Sequence, residues 1–359
     1  MSSLHFHPLR VRALQPDTDE AMLVSFDVPP ELRETFRWQA GQYLTLRSTI
    51  DGQDLRRSYS ICAGVDDADL RVGVRKVGGG AFSTWANERL KVGDTVHVIP
   101  PQGHFTIAPH AGTGRHVVGI AAGSGITPIL SILRSVLARE PDSRVTLIYG
   151  NRSARSTMFK EELEDLKNRH MRRLALHFVF SREHTDAPLN AGRLDREKLA
   201  SFLAALVPAA GIDEAFICGP HGLDEEASAA LAAAGVPAAR LHVERFGVPA
   251  AAGDRAVHEP RPGDAAQARI VVIRDGVPRE IAFRRGDPSL LDAAANAGMD
   301  VPFSCKSGVC CTCRAKVLEG EVRMDRNFSL DAAELAAGFV LTCQAHPLTG
   351  RVVVSFDER

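Results

Sequence analysis

The pattern of apolar and polar positions divides the chain into three stretches of different character. In the first stretch, to about residue 110, apolar and polar residues alternate in short segments separated by glycine and proline. The segments are Tyr43 to Arg47, Leu70 to Arg75 and Thr95 to Ile99. Alternation of this kind, with turns between the segments, is typical of an antiparallel barrel or sandwich. We therefore predict an antiparallel β-barrel domain over residues 1–110.

The second stretch alternates strand patterns with helix patterns. Apolar strand runs cover 117–121, 145–149, 175–180, 215–217 and 241–244, and apolar residues recur at helical spacing over 127–137, 158–166, 199–206 and 223–234. This order predicts a doubly wound parallel α/β domain over residues 111–247. Thr127 is expected to cap the first of its helices, with Pro128 at the first helical position.

The third stretch begins after a break in composition. Gly247 to Ala268 is rich in Gly, Pro and Ala and has no apolar periodicity, which predicts a linker over residues 248–268. Strands are then expected at 269–274, 314–318 and 351–356, with a short helix that Asp287 and Pro288 cap and that ends at Gly298. We predict a separate α+β domain over residues 269–359.

The overall charge excludes several classes of partner. The 359 residues include 43 Lys and Arg against 44 Asp and Glu, so the net charge is −1. This balance gives no electrostatic basis for binding nucleic acid or an anionic membrane. No apolar run is long enough for a spanning helix, and Met1 to Val11 lacks the apolar core of a signal peptide. We expect a cytoplasmic protein.

The cysteines change the picture most, because five of the seven lie between Cys305 and Cys343. An odd number concentrated in one segment argues against a disulfide framework. Cys305, Cys310 and Cys313 have the spacing C-x4-C-x2-C, and 29 residues separate Cys313 from Cys343. This is the plant-type spacing for a 2Fe–2S cluster. A structural zinc site is the alternative, but paired C-x2-C knuckles or His ligands are more typical of zinc.

Two further motifs carry chemistry suited to a flavin. Arg57-Ser58-Tyr59-Ser60 offers a cation for a pyrophosphate, an aromatic ring for the isoalloxazine and a small hydroxyl near its N5. Gly78-Gly79-Gly80 precedes Ser83 and Thr84 at an expected helix start, which suits phosphate binding. A glycine-rich hairpin turn is the alternative for that second segment.

Two motifs in the α/β stretch suit a dinucleotide. Gly123, Gly125 and Thr127 lie between the first strand and its helix, where a pyrophosphate would sit. Cys218-Gly219-Pro220 follows a later strand, at the edge that faces the ligand crevice of an open parallel sheet. The Gly-Pro pair could instead simply turn the chain.

The ordered set of these motifs, completed by Glu244-x-Phe246, resembles the ferredoxin–NADP reductase superfamily, and the cysteine loop resembles a fused plant-type ferredoxin with a β-grasp fold. The resemblance implies roles for individual residues. FAD would be held by Arg57, Ser58, Tyr59 and Ser60, with Gly80, Ser83 and Thr84 on its phosphates. Gly123, Gly125, Thr127 and Gly219 would bind the dinucleotide, and Ser60, Cys218, Glu244 and Phe246 would surround the site of hydride transfer.

The choice of nicotinamide and flavin is less constrained. The second parallel strand ends in Asn151-Arg152 without an acidic residue for a ribose hydroxyl, and Arg152 and Arg155 are cations where a 2′-phosphate could lie. Ser181-Arg182 resembles the phosphate-binding pair of ferredoxin–NADP reductases. We therefore predict NADPH, with solvated surface arginines as the alternative. FAD follows from the resemblance, since reductases of the phthalate-dioxygenase type share this domain order but use FMN.

These motifs predict an oxidoreductase that passes electrons from NADPH through FAD and a 2Fe–2S cluster to the oxygenase subunits of a multicomponent system. The chain has no Glu-x-x-His motif of the kind that ligates di-iron, so oxygen chemistry is expected on a di-iron partner. Residues 269–359 carry 12 basic and 12 acidic residues, which favours docking by local fit. The alternatives are a reductase for another di-iron or Rieske oxygenase, of FMN and NADH type, and a redox-sensing subunit without turnover.

Overall fold

The computed structural model describes residues 4–108, 110, 112, 114–247 and 258–358, which form two compact units. Pro8–Leu55 and Tyr59–Phe246 belong to one unit, and Met1–His7, Arg56–Ser58 and Gly247–Arg359 to the other. The strands are β1 His7–Thr18, β2 Ala21–Asp27, β3 Tyr43–Ile50, β4 Gln53–Ser60, β5 Leu70–Arg75, β6 Thr95–Gln102, β7 His116–Ala122, β8 Arg144–Asn151, β9 Leu174–Phe180, β10 Glu214–Gly219, β11 Leu241–Arg245, β12 Gln267–Arg274, β13 Val277–Arg284, β14 Arg314–Glu319, β15 Val322–Met324, β16 Phe339–Leu341, β17 Ala345–Pro347 and β18 Arg351–Ser355. The α-helices are α1 Ala81–Glu88, α2 Ile126–Arg139, α3 Lys160–Arg169, α4 Arg196–Ala205, α5 Leu223–Ala233, α6 Leu290–Asn296 and α7 Ala332–Ala336.

The first six strands form the predicted antiparallel barrel, in the order β4-β3-β6-β1-β2-β5. The chain leaving β4 returns to β5 at the other edge, where Ile61 bridges Val72 and the Cys62 N–H donates to the Arg71 carbonyl at 2.9 Å. This contact closes the sheet. Its interior is filled by apolar side chains such as Leu44 and Val98, which are fully buried. Closure leaves no strand edge unpaired along this seam.

The next five strands form the predicted parallel sheet, in the order β11-β10-β7-β8-β9. Because all five are parallel, their carboxyl ends lie along one edge. The predicted cap of α2 is wrong. The chain makes a 3-10 turn over Gly123–Gly125 and enters the helix at Ile126. Thr127 therefore lies inside the first turn, buried, and its hydroxyl donates to the Ser124 carbonyl at 3.0 Å.

The third main sheet is mixed, in the order β13-β12-β18-β14-β16, with β12 and β18 parallel and the other neighbours antiparallel. Helix α6 buries Leu290 and Leu291 in the core of this unit. The predicted cap of α6 is also wrong. Ser289 caps it by accepting the Asp292 N–H at 3.1 Å, whereas the Asp287 carboxylate accepts the Arg284 N–H and closes the preceding turn.

The predicted linker is only partly within the described residues. Residues 248–257 lie outside them, and β12 begins at Gln267, two positions before the predicted Arg269. Just before this strand, the Ala265 N–H donates to the Pro347 carbonyl at 2.9 Å, so the chain is already attached to β17 there. Over the described ranges, no helix is long and apolar enough to cross a membrane.

Candidate functional sites

The turn between β7 and α2 packs directly against the end of β10. Gly123 has a φ of +54°, and its carbonyl accepts the buried Tyr149 hydroxyl at 2.9 Å. A Cβ on Gly125 would lie 2.1 Å from the Cys218 carbonyl oxygen. Only glycine allows this approach. The sequence motif around Gly123 and Gly125 is thus placed beside the second motif at Cys218, as the parallel sheet predicts.

The register of the sheet places a thiol beside a carboxyl group. Cys218 on β10 is the direct partner of Glu244 on β11. Cys218 is fully buried, and this burial, with the nearby Glu244 carboxylate, raises the pKa of its thiol well above the ordinary value. The Cys218 side chain is therefore a neutral thiol at physiological pH.

A contact from the barrel completes this cluster. The buried Ser60 hydroxyl at the end of β4 donates to Glu244 Oε2 at 3.3 Å. Burial raises the pKa of Glu244 to about 8, although the Ser60 hydroxyl opposes the shift. Ser60, Cys218 and Glu244, which are far apart in the sequence, thus meet in one place. Phe246 lies two residues beyond Glu244 and is 43% exposed.

The expected phosphate-binding turn is present, with a local role for one of its residues. Gly80 is the N-cap of α1. The Ser83 hydroxyl accepts the Val77 N–H at 3.1 Å and donates to the Gly80 carbonyl at 3.1 Å, so it stabilises the turn itself. Thr84 is half-buried one residue further on. The first N–H groups of α1 remain suited to an anion.

The motif on β4 presents residues of different exposure. Tyr59 is half-buried, and its ring centroid lies 5.8 Å from that of Phe82 in α1. Ser58 is half-buried, and Arg57 is exposed, with Nη1 donating to the Arg56 carbonyl at 2.7 Å. The strand therefore offers a cation and an aromatic ring on the same segment as Ser60, a set that fits a flavin with its pyrophosphate.

Two backbone hydrogen bonds continue the pairing of β8 and β9 beyond the ends of these strands and bring predicted cationic residues together. The Ser181 N–H donates to the Asn151 carbonyl, and the Arg182 N–H donates to the Arg152 carbonyl, both at 2.9 Å. Arg152 and Arg182 are exposed, and neither forms a salt bridge with any residue that the structure describes. Arg155, by contrast, pairs with Asp19 at 2.6 Å. The Glu183 carboxylate is turned toward the backbone, where it accepts the N–H of Ala154 at 2.7 Å.

The four predicted cluster ligands converge in the other unit. Cys305 and Cys310 have their Sγ atoms 3.1 Å apart, and the thiol groups of Cys313 and Cys343 contact each other. The Cys310 thiol, with the Ser307 N–H at 3.4 Å, lowers the pKa of Cys305 to about 5. Cys311 points elsewhere, toward the Ser329 carbonyl. Four sulfurs supplied by one tight loop and one distant segment fit a 2Fe–2S cluster.

A buried polar network that the sequence does not predict lies next to these cysteines. The Asp325 side chain is 2% exposed, and its carboxylate accepts from His346 Nε2 at 2.8 Å and from the His258 N–H at 3.0 Å. Arg323 and Arg261 also reach its carboxylate. Two imidazoles and a carboxylate could bind a metal ion, but two guanidinium groups already neutralise this carboxylate. The arrangement is an ion-pair anchor, and scattered His and Arg residues give no sequence signal for it.

Comparison with known proteins agrees with the three regions. Residues 13–107 match the family model of an oxidoreductase FAD-binding domain, residues 120–229 that of an oxidoreductase NAD-binding domain, and residues 272–348 that of a 2Fe-2S iron-sulfur cluster binding domain. These matches cover the barrel, the parallel sheet and the cysteine-containing sheet in that order.

Curated relatives extend along the whole chain. It is 46% identical over 354 residues to a component of the 1,2-phenylacetyl-CoA epoxidase of Escherichia coli, and the match covers 99% of this chain and 98% of that one. It is 35% identical to the ferredoxin reductase component of 3-ketosteroid-9-alpha-monooxygenase from Rhodococcus rhodochrous, over 97% of this chain and 96% of that one. The solved structure of phthalate dioxygenase reductase shares the fold, with a TM-score of 0.61 at 22% identity over 98% of each chain.

Proposed function

Because this chain belongs to the family of oxygenase reductase components that join an FAD-binding, an NAD-binding and a 2Fe–2S domain, we propose that it passes electrons from NADPH to the oxygenase subunits of a phenylacetyl-CoA epoxidase. The single observation that carries this proposal is the 46% identity to the Escherichia coli epoxidase component along nearly the full length of both chains. The chain is an oxidoreductase with FAD, a nicotinamide nucleotide and a 2Fe–2S cluster as its redox groups.

Specific residues are proposed to hold these groups. Arg57, Tyr59 and the start of α1 would bind FAD. The dinucleotide would be bound by Gly123, Gly125 and Gly219, and the cluster by Cys305, Cys310, Cys313 and Cys343. Together the bound groups convert the two electrons of a hydride into single electrons for the acceptor. The chain itself supplies binding, orientation and control of protons.

The Ser60–Glu244 pair is proposed to manage the proton at this site. With a pKa of about 8, the Glu244 carboxyl group keeps its proton at neutral pH. The Ser60 hydroxyl lies 3.3 Å from Oε2 of that group, so a proton can move directly between the two side chains. Cys218 stays neutral beside them and contributes a soft, uncharged surface. Phe246, exposed two residues beyond Glu244, would cover the flavin.

The preference for NADPH is supported by Arg152 and Arg182. Their backbones are hydrogen-bonded to each other, and both guanidinium groups are exposed at the carboxyl edge of the parallel sheet. Two adjacent cations can bind a 2′-phosphate through charge-assisted hydrogen bonds. The variant Arg152→Gln/Arg182→Gln should raise the KM for NADPH at least about tenfold and leave that for NADH unchanged. Equal effects on both nucleotides would contradict this assignment.

We also propose the domain limits and the compartment. The limits are a flavin domain over 1–110, a nucleotide domain over 111–247, a linker over 248–266 and a ferredoxin domain that starts with β12 at Gln267, two positions before the limit of 269 expected from the sequence, and runs to 359. A cytoplasmic location is supported by the concentration of thiols in a ligand loop, since cysteines used in this way need a reducing environment. The matched models, at 13–107, 120–229 and 272–348, lie within the three domains.

Reconstitution with the purified oxygenase subunits of the epoxidase tests the proposed partner. We expect NADPH-coupled epoxidation of phenylacetyl-CoA that depends on this chain and is lost with Cys343→Ser. Ferricyanide reduction by the same variant serves as the control for an intact flavin site. If ferricyanide reduction is rapid but no epoxide forms with the wild-type chain, the partner is wrong. The full-length similarity to a 3-ketosteroid-9-alpha-monooxygenase component then makes another oxygenase the second candidate.

A further inference from the structure

The side chain of Gln344 connects two segments that the cluster must hold together. Gln344 follows the isolated fourth cysteine, Cys343, and is fully buried. Its Nε2 donates to the carbonyl of Lys306 at 3.0 Å, and Lys306 lies in the loop of the other three cysteines. The same Nε2 donates to the Cys343 carbonyl at 3.0 Å and lies 3.6 Å from Cys343 Sγ. One amide group thus contacts both ligand segments and one ligand sulfur.

The orientation of this amide follows from its partners. Two of the three acceptors near Nε2 are carbonyl oxygens, so a reversed amide would bring oxygen against oxygen at both of these contacts. The other end, Oε1, is buried and has no hydrogen-bond partner among the described residues. An unsatisfied buried acceptor is unfavourable. The arrangement therefore satisfies the donor side of the amide, toward the loop and the sulfur, and leaves the acceptor side unpaired.

The loop that Gln344 contacts has a backbone that needs to be held. Lys306 has a φ of +53° although it is not glycine, and Gly308 has a φ of +79°. A Cβ on Gly308 would lie 3.3 Å from Gln344 Cγ, so the aliphatic part of the side chain packs there as well. On the other side of the loop, the Gly308 carbonyl accepts the Phe328 N–H at 3.0 Å. Gln344 and this bond hold the loop from two directions.

We propose that Gln344 is a positioning residue for the 2Fe–2S cluster, which fixes the Cys343 segment against the three-cysteine loop and donates a hydrogen bond to the Cys343 sulfur. This rests on the proposed ligand set. A donor to a ligand sulfur stabilises the more negative, reduced cluster and so raises the reduction potential. Residues that orient ligands in this way also slow loss of the metal.

The variant Gln344→Met tests this, because methionine has a similar length but no donor. In the holoprotein we expect a full cluster, a midpoint potential shifted to more negative values and iron release to a chelator about tenfold faster than in wild type. Ser329→Ala is the matched control, since the Ser329 hydroxyl also reaches the Gly308 carbonyl, at 3.4 Å, but lies on the other side of the loop. It should leave the potential unchanged. An unaltered potential and release rate in Gln344→Met would refute the proposal.

A second measurement avoids dependence on folding of the variant. In wild-type holoprotein labelled with [¹⁵N-amide]glutamine and reduced with dithionite, pulsed EPR should detect coupling of the cluster spin to a side-chain ¹⁵N. Absence of that coupling would overturn the assignment even if Gln344→Met does not fold. Retention of the cluster in Cys343→Ala, which offers no ligand atom, would instead show that the ligand set is wrong, which separates that failure from a failure of the Gln344 proposal.

Discussion

Replacement of Gly125 by alanine tests the geometry on which the nucleotide site depends. The new methyl carbon would lie 2.1 Å from the Cys218 carbonyl oxygen and 2.4 Å from its carbonyl carbon, whereas ordinary contacts begin at 3.4 Å. Both neighbours are backbone atoms, so no side chain can rotate away. The start of α2 or the end of β10 must therefore move by roughly 1 Å, at a cost of about 1–3 kcal/mol.

This displacement would separate the turn from Cys218 and Glu244. A 1 Å misplacement of reacting groups typically costs about 100-fold in rate. We therefore expect Gly125→Ala to bind flavin normally but to undergo flavin reduction by NADPH about 100-fold more slowly, as measured by anaerobic stopped-flow absorbance. The melting temperature should fall by several degrees, in line with the cost of overpacking.

Ser124→Ala is the matched control in the same turn. Only the backbone carbonyl of Ser124 serves the helix, where it accepts the Thr127 hydroxyl at 3.0 Å, so loss of its side chain should leave the rate unchanged. A Gly125→Ala protein that is reduced at the wild-type rate would refute the close approach of the turn to Cys218. Loss of flavin from that variant would also contradict it, because the proposed flavin residues lie on β4 and α1.

The remaining predictions concern the proton pair, the cluster and the anchor. Ser60→Ala should slow flavin reduction and leave the cluster assembled; normal stopped-flow rates would remove Ser60 from the mechanism. Cys343→Ser should abolish cytochrome c reduction that depends on the cluster but spare ferricyanide reduction by the flavin. The raised pKa of Glu244, about 8, favours the protonated form on folding, so its contribution to stability is lost as the pH rises through about 8. Relative to wild type, the apoprotein of Glu244→Gln should therefore gain thermal stability between about pH 5 and pH 9. A difference in melting temperature that stays constant with pH would contradict this. Although burial opposes ionisation, the Arg323 guanidinium lowers the pKa of Asp325, so the contribution of Asp325 to stability is present at neutral pH and lost in acid. Asp325→Asn should lower the free energy of unfolding in urea at neutral pH by about 3 kcal/mol. A loss near zero would contradict the role of Asp325 as an anchor.

The sequence predicted the parallel sheet and the cysteine site because their signals are local. The apolar runs of β7 and β8 and the spacing of Cys305, Cys310 and Cys313 are each visible within a short window. The wrong cap of α6 has a local physical cause. Asp287 has the side chain of a cap, but its carboxylate accepts the Arg284 N–H, and Ser289 two residues later takes the cap position.

The contacts that matter most at the sites could not be read from the sequence. The pairing of Cys218 with Glu244 depends on the register of two parallel strands, and Ser60 reaches Glu244 from a strand 184 residues away. Gln344 gave a weak signal, since it adjoins a predicted ligand, but its contact with the Lys306 carbonyl arises only from the fold of the loop. The raised pKa of Glu244 likewise results from burial that three-dimensional packing creates.

The most direct test of electron transfer through this chain is an anaerobic titration of the purified holoprotein with NADPH, followed by absorbance for the flavin and by EPR for the cluster. We expect one FAD and one cluster per chain, with flavin reduction followed by the EPR signal of a reduced 2Fe–2S cluster. A cluster that dithionite reduces but NADPH leaves oxidised, despite full flavin reduction, would contradict it.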